Sequence, residues 1–181
     1  MMHKKLQIYY FINKFDYSHL INLDKNISFI WRNKNKETLL KTLIELRKFC
    51  NKNGRKLYIN NDIYLAHKIG ADGLYISSNN KDLILGSGNS KKNFKILGSA
   101  HNIKEIKIKE IQNVTEIFLS PLFKNKKNKK LDIFRYLNLR KATNMKDIAL
   151  GGINKKNFKK LKLINPAGFA GISYFEKKKG P

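Results

Sequence analysis

The stretch with the clearest chemical potential is an apolar run that ends in paired glycines, IALGGI at 148–153, followed by NKKNF. Glycine lets the backbone approach a ligand closely. N–H groups at such a point, and at the start of a following helix, can hold a phosphate. Gly151-Gly152 is equally what a tight turn demands. The phosphate reading gains weight from Gly171, which ends a second apolar run, FAGIS at 169–173, and also permits close approach. Cys50, the one cysteine, falls at a helical core spacing and reads as a small core hydrophobe rather than a nucleophile. Alone, it forms no intrachain disulfide and no multi-cysteine metal site.

The elements that must position these residues are short. Apolar runs at 6–12, 27–31, 56–59, 73–76, 94–99, 116–119, 147–150 and 169–173 are mostly continuous rather than alternating, as parallel strands covered by helices are. Between them the spacing predicts helices over 37–50, 62–69, 103–111, 132–142 and 157–164. The first of these carries Leu39, Leu43 and Leu46 on one face with Leu40 and Ile44 beside it; Asp132 is a natural N-cap for the fourth. Residues 14–25 make a weak helix, and little chain follows Tyr174. Alternation repeated eight times argues for parallel α/β, closed as a barrel or opened as a doubly wound sheet. A phosphate site built after the seventh and eighth strands suits a (β/α)8 barrel. Periodicity alone does not choose between these closures; a compact, single-domain (β/α)8 TIM barrel over 1–181 is the one that the chain's resemblance to a known family implies. At 181 residues it requires trimmed first, fourth and eighth helices. The run KNKKNKK at 124–130 reads as a loop after the sixth strand.

Charge is the feature most open to misreading. Lysine and arginine number 38 against 13 acidic residues, a formal net charge of +25. Polyanions are attracted to such a chain. The lysines, however, are spread evenly among abundant Asn, Ile and Tyr, the set that AT-rich codons produce. No helix-turn-helix, aromatic stacking platform or zinc spacing accompanies them, so specific nucleic-acid binding is not expected. No run approaches the roughly 18 apolar residues of a membrane span, and the N-terminus MMHKKLQIYYFINK shows no signal-peptide core. A reducing, cytoplasmic setting is expected.

Five blocks in order resemble the thiamine-phosphate synthase/TenI family. IALGGINKKNFKKL followed by NPAGFAGISYF is similar to its closing segment. LYINNDIYLAHKIGADGLYIS resembles its third-strand segment, with Asn60, Ala66 and Gly70-Ala71-Asp72-Gly73 in register. FIWRNK resembles its second-strand end, KILGSAHN keeps Ser99 and His101, and IFLSPLF keeps Pro121 and Phe123.

The resemblance implies a thiamine biosynthesis enzyme with ligand at the C-terminal strand ends. Arg32 and Lys34 would face an aminopyrimidine diphosphate, as forked donor and point charge. Asn60 would hydrogen-bond ligand, and Lys127 or Lys129 would cover the phosphates, because the family's lysine falls on Asn128. Gly151, Gly152, Gly171 and Ser173 would grip a thiazole phosphate. The synthase pattern places Mg²⁺-binding aspartates where this chain has Asn61 and Asn80, and a pyrimidine-contacting glutamine where it has Ile30. Mg²⁺ is therefore a doubtful cofactor. That asymmetry leans toward a TenI-like thiazole tautomerase, with His101 moving the proton. Thiamine-phosphate synthase is the alternative, and a non-catalytic phosphoryl-ligand binder a further one. His101 also reads as a surface histidine, and Arg32 with Lys34 as ordinary exposed charge. Family habit suggests a homo-oligomer.

One test follows from the charge. Duplex DNA should bind weakly and without sequence preference, and lose affinity steeply as salt rises. Sequence-specific nanomolar binding at ~150 mM salt, in a filter or fluorescence titration, would contradict this reading.

Overall fold

The structure, a computed structural model, describes residues 6–32, 39–83, 93–123 and 131–176. Eight parallel strands follow one another around a closed barrel in sequence order. They are β1 (Gln7–Ile12), β2 (Ile27–Trp31), β3 (Leu57–Asn60), β4 (Gly73–Ile76), β5 (Lys95–Ala100), β6 (Glu116–Leu119), β7 (Lys146–Leu150) and β8 (Gly168–Gly171). Closure is made by β8 on β1, with Gln7 opposite Gly168 and Tyr10 opposite Gly171. Between the closed barrel and the open sheet that strand periodicity left possible, the molecule takes the barrel.

Side-chain alternation divides the core into two layers. Inside the barrel lie Tyr9, Phe11, Ile30, Tyr58, Tyr75, Leu97, Phe118, Ile148 and Ala170. The aromatic rings interlock edge to face: Tyr75 meets Phe118 at 5.2 Å and 83°, and Phe11 meets Tyr75 at 5.2 Å and 82°. Such pairs add about 0.5–1.5 kcal/mol each beyond area burial. The intervening residues, among them Tyr10, Phe29, Trp31, Ile59 and Leu119, point outward and pack against the helices. This double burial is why the strands read as continuous apolar runs.

Helix α1 (Tyr17–Leu20) is one turn capped by Asp16, and α2 (Leu39–Lys52) buries Leu43, Leu46 and Cys50. Leu40 and Ile44 prove exposed rather than flanking the buried face. Helices α3 (Ile63–Lys68), α4 (Ile103–Ile111) and α5 (Ile133–Lys141) are capped by Asp62, Asn102 and Asp132, each accepting a backbone N–H two or three residues into the helix. The expected helix at 157–164 is instead a 3-10 segment, Phe158–Leu163, whose preceding Asn157 makes no side-chain cap bond. Without a cap, and with lysines at 159, 160 and 162, little favours α over the tighter turn. Residues 84–92, between β4 and β5, lie outside the described residues, and from the end of β8 to Glu176 the chain makes only bends and turns. No helix of the described residues is long and apolar enough to cross a membrane. Burial pushes the Cys50 thiol up to about 12, as befits a core residue.

At the N-terminal end of the barrel, β4 and β5 approach so closely that a Cβ on Gly73 would lie 2.0 Å from the Lys95 carbonyl oxygen. Here too Glu116 is buried, accepting from the Tyr9 hydroxyl and pairing with Lys95 Nζ at 2.9 Å. Burial and the neighbouring Tyr58 and Glu116 push the Tyr9 phenol upward. Asp72, in the GADG turn, pairs with Lys56 at 3.0 Å and accepts the Leu57 N–H. Removing Glu116 leaves the buried Tyr9 hydroxyl with Tyr58 beside it but without its carboxylate acceptor. Glu116→Ala should therefore destabilise the fold by about 1–3 kcal/mol, and Glu116→Gln by less, in urea unfolding.

Candidate active site at the C-terminal mouth of the barrel

Parallel strands release all their following loops at one end, and alternation decides which residues face inward there. Two positions beyond the interior residues Ile30, Tyr58, Tyr75, Leu97 and Phe118 come Arg32, Asn60, Ser77, Ser99 and Ser120. The mouth is thus polar over an aromatic floor. The Arg32 guanidinium lies over the Phe11 ring, 5.5 Å from its centroid, while its backbone N–H is held by the Ile12 carbonyl at 2.8 Å. Ser99 is buried and hydrogen-bonded to Tyr75, whose phenol burial pushes up to about 12. Asn60 Oδ1 is buried with no partner among the described residues, an acceptor left open at the end of β3.

His101 is held from both sides of its ring. Nδ1 lies 2.7 Å from the Ser120 carbonyl oxygen, which can only accept, so this nitrogen carries the proton. In the neutral ring Nε2 is then the basic atom, and it faces Ser78 Oγ at 3.0 Å. The backbone follows suit: Glu105 accepts the His101 N–H at 2.7 Å while Asn102 caps α4. An imidazole fixed in one tautomer, with its basic nitrogen at a hydroxyl, can take and return a proton.

Gly151 and Gly152 have φ of +93° and +69°. A Cβ on Gly151 would meet Pro121 Cα at 2.7 Å, so the β7 end is pressed against the loop after β6. The helix-end donors expected beyond the glycines are largely engaged already. Asn154 N–H bonds Asn157 Oδ1 at 2.9 Å, Lys156 N–H bonds Asn154 Oδ1 at 2.9 Å, and Phe158 N–H bonds the Asn154 carbonyl at 3.0 Å. Gly171 is not required by packing, since a Cβ there would make only ordinary contacts. A cavity of about 550 Å³ opens between β1, β2 and β8, lined by Phe11, Lys14, His19, Arg32, Ser173 and Glu176 among others. Arg32 and Ser173 therefore share one cavity, whereas His101 stands across the mouth with Ser78 and Ser120. Lys34, Lys127 and Lys129 lie outside the described residues.

Asn61 sits at φ +57°, a conformation asparagine tolerates better than most. Its amide bridges two strand ends, accepting the Ser77 N–H at 2.8 Å and donating to Ser77 Oγ at 2.8 Å. Asn80 Oδ1 accepts the Asp82 N–H at 2.9 Å, and its backbone oxygen receives Lys109 Nζ at 2.7 Å. Among the described residues no three His, Cys, Asp or Glu side chains gather as a metal site. Two engaged amides beside an ammonium do not fit a protein-held Mg²⁺, which wants carboxylates.

Reading the sequence noted Ser77 and Ser78 only as a strand end nearer the TenI pattern, with no role assigned, and missed Ser120, Phe11 and Lys109. For the serines and Phe11 the signal was present as strand alternation; the reach of Lys109 from α4 is a tertiary fact. His67, stacked on Phe94 at 4.8 Å, is structural.

The family model described as thiamine monophosphate synthase matches residues 23–175. A thiamine-phosphate synthase of Pelagibacter ubique is 35% identical over 170 residues, 90% of this chain and 81% of that protein. One of Prochlorococcus marinus is 31% identical over 127 residues, 66% of this chain but 36% of that longer protein. A thiamine phosphate pyrophosphorylase from Pyrococcus furiosus superposes with a TM-score of 0.72 at 16% identity, covering 94% of this chain and 87% of that one. The relatives carry the synthase name, which favours that activity over the tautomerase leaning. Matched over most of its length by model, sequence and barrel, the chain belongs to the thiamine monophosphate synthase family.

Proposed function

We propose that the chain is a thiamine-phosphate synthase, joining an aminopyrimidine diphosphate to a thiazole phosphate. The observation that carries this reading is the 35% identity to the Pelagibacter ubique synthase across 90% of the chain. In the reaction, the bond between the pyrimidine methylene carbon and the diphosphate oxygen breaks, and pyrophosphate leaves with the electron pair. The thiazole nitrogen then gives its lone pair to that carbon, forming thiamine phosphate. No proton need move.

The mouth suits this division of labour. Arg32 offers a forked cation to the departing diphosphate, and stacking on Phe11 keeps the fork raised over the barrel. Tyr75 and Phe11, packed edge to face, provide an apolar aromatic floor beneath a heteroaromatic ring, and Asn60 Oδ1, unpaired among the described residues, supplies an acceptor for an amino group. Ser173, Gly151, Gly152 and Gly171 would receive the thiazole phosphate, while Lys34 and a lysine at 127 or 129 would join Arg32 on the diphosphate. No step is routed through Mg²⁺.

The second reading, a TenI-like tautomerase, rests on one observation: the fixed tautomer of His101, whose basic Nε2 meets Ser78 Oγ at 3.0 Å. The two activities respond differently to substitution. Incubation with both substrates, with chromatography for thiamine phosphate, should show product for the unaltered chain, and none would refute the synthase reading. Arg32→Ala should raise the diphosphate KM about 10–100-fold, the loss of a charge-assisted hydrogen bond, and leave the thiazole phosphate KM near its starting value. His101→Asn should leave synthase turnover largely intact. A fall of ~10²–10⁴ in isomerisation of a thiazole carboxylate phosphate would instead put the tautomerase first.

A further inference from the structure

The loop after β4 is organised by a cation in place of a carboxylate. Lys109 is fully buried on α4, and its Nζ donates to the Asn80 backbone oxygen at 2.7 Å and to Gln112 Oε1 at 2.8 Å. Gln112, also buried, reaches the same loop, donating to the Asn80 and Asp82 carbonyl oxygens at 3.2 and 2.9 Å. Both hydrogen-bond partners of the ammonium are neutral oxygens, and the acidic group that acts on it is Glu105, one turn earlier on α4. Directly before this loop are Ser77, locked to Asn61, and Ser78, facing His101. Asn80 N–H closes the turn on the Ser77 carbonyl at 3.1 Å.

We propose that Lys109 supplies the loop after β4 with the positive charge that a divalent cation would otherwise bring, so that the mouth accepts a diphosphate without a protein-held metal. Two features act together. The oxygens at 61 and 80 are neutral and already accept backbone N–H groups, which removes the attraction for a hard cation. A protein cation bonded to the Asn80 carbonyl repels a second positive charge from that place and attracts an anion through a poorly screened interior. Lys109 is thus a positioning residue: it shapes the turn that follows Ser77 and Ser78, and its charge sits at the edge of the mouth formed by the loop after β4. This inference rests on the diphosphate-binding side of the function proposed above.

The probe is inorganic pyrophosphate, titrated calorimetrically into the full chain in EDTA and again in excess Mg²⁺. The expected Kd values agree within about threefold. Lys109→Gln, which keeps an amide donor for the Asn80 oxygen but removes the charge, should weaken binding in EDTA by about tenfold, and Lys109→Arg should restore it. Melting curves verify that each variant is folded. Pyrophosphate binding that appears only with Mg²⁺ in the unaltered chain would overturn the proposal, whatever becomes of the variants. So would equal affinity of folded Lys109→Gln and the unaltered chain. Thiamine phosphate formation is scored separately. Metal-independent pyrophosphate binding without product removes the synthase reading and keeps this one, while product formed only with Mg²⁺ does the reverse.

Discussion

Closing eight parallel strands around a set of interlocking aromatic rings is the constraint on which the remainder of the molecule depends. The rings of Tyr9, Phe11, Tyr58, Tyr75 and Phe118 fill the barrel, so the strands cannot slip by one residue without turning this set outward. Parallel direction then delivers every loop after a strand to one face. Alternation delivers Arg32, Asn60, Ser77, Ser99 and Ser120 to the inner rim of that face. The polar mouth is thus a geometric consequence of the apolar interior. At the opposite end the same alternation places Glu116 inside, and its bonds to Tyr9 and Lys95 meet the cost of burying a carboxylate there.

Much of this architecture was legible in the residues, and for an identifiable reason. Strands buried on both faces leave continuous apolar runs, and all eight were placed within a residue or two of their observed bounds. The expected cap Asp132 marks a true helix start, and Asp62 and Asn102 prove to cap the helices read from spacing near them. The 3-10 segment at Phe158–Leu163 was harder, because Phe158, Leu161 and Ile164 suit both an α-helix and a tighter turn. The site was less legible. Arg32, Asn60 and His101 stand at the mouth, but the helix-end donors beyond Gly152 are engaged within their own turn. Which N–H groups a loop keeps for a ligand depends on where Asn154 and Asn157 fold back, and no spacing rule encodes that.

The asparagines at 61 and 80 gain a physical meaning from their surroundings. In the sequence they are absences of charge; in the barrel each is a connector. Asn61 ties the end of β3 to the residue after β4 through donor and acceptor at once, in a left-handed conformation. Asn80 lends its backbone oxygen to an ammonium from the helix layer. Family membership and a changed electrostatic design are therefore compatible. Family membership is read from most of the chain, and the departures at 61 and 80 sit together after β3 and β4.

Trp31 ends β2, fully within the outer layer, next to the residue whose guanidinium lies over Phe11. It is the one tryptophan of the chain. Its indole Nε1 is buried with no hydrogen-bond partner among the described residues. The protein thus carries a single ultraviolet chromophore of its kind, screened from solvent and one peptide bond away from Arg32 at the mouth. Its emission colour reports on the integrity of the barrel wall, and its intensity on events at the mouth, without any label being attached.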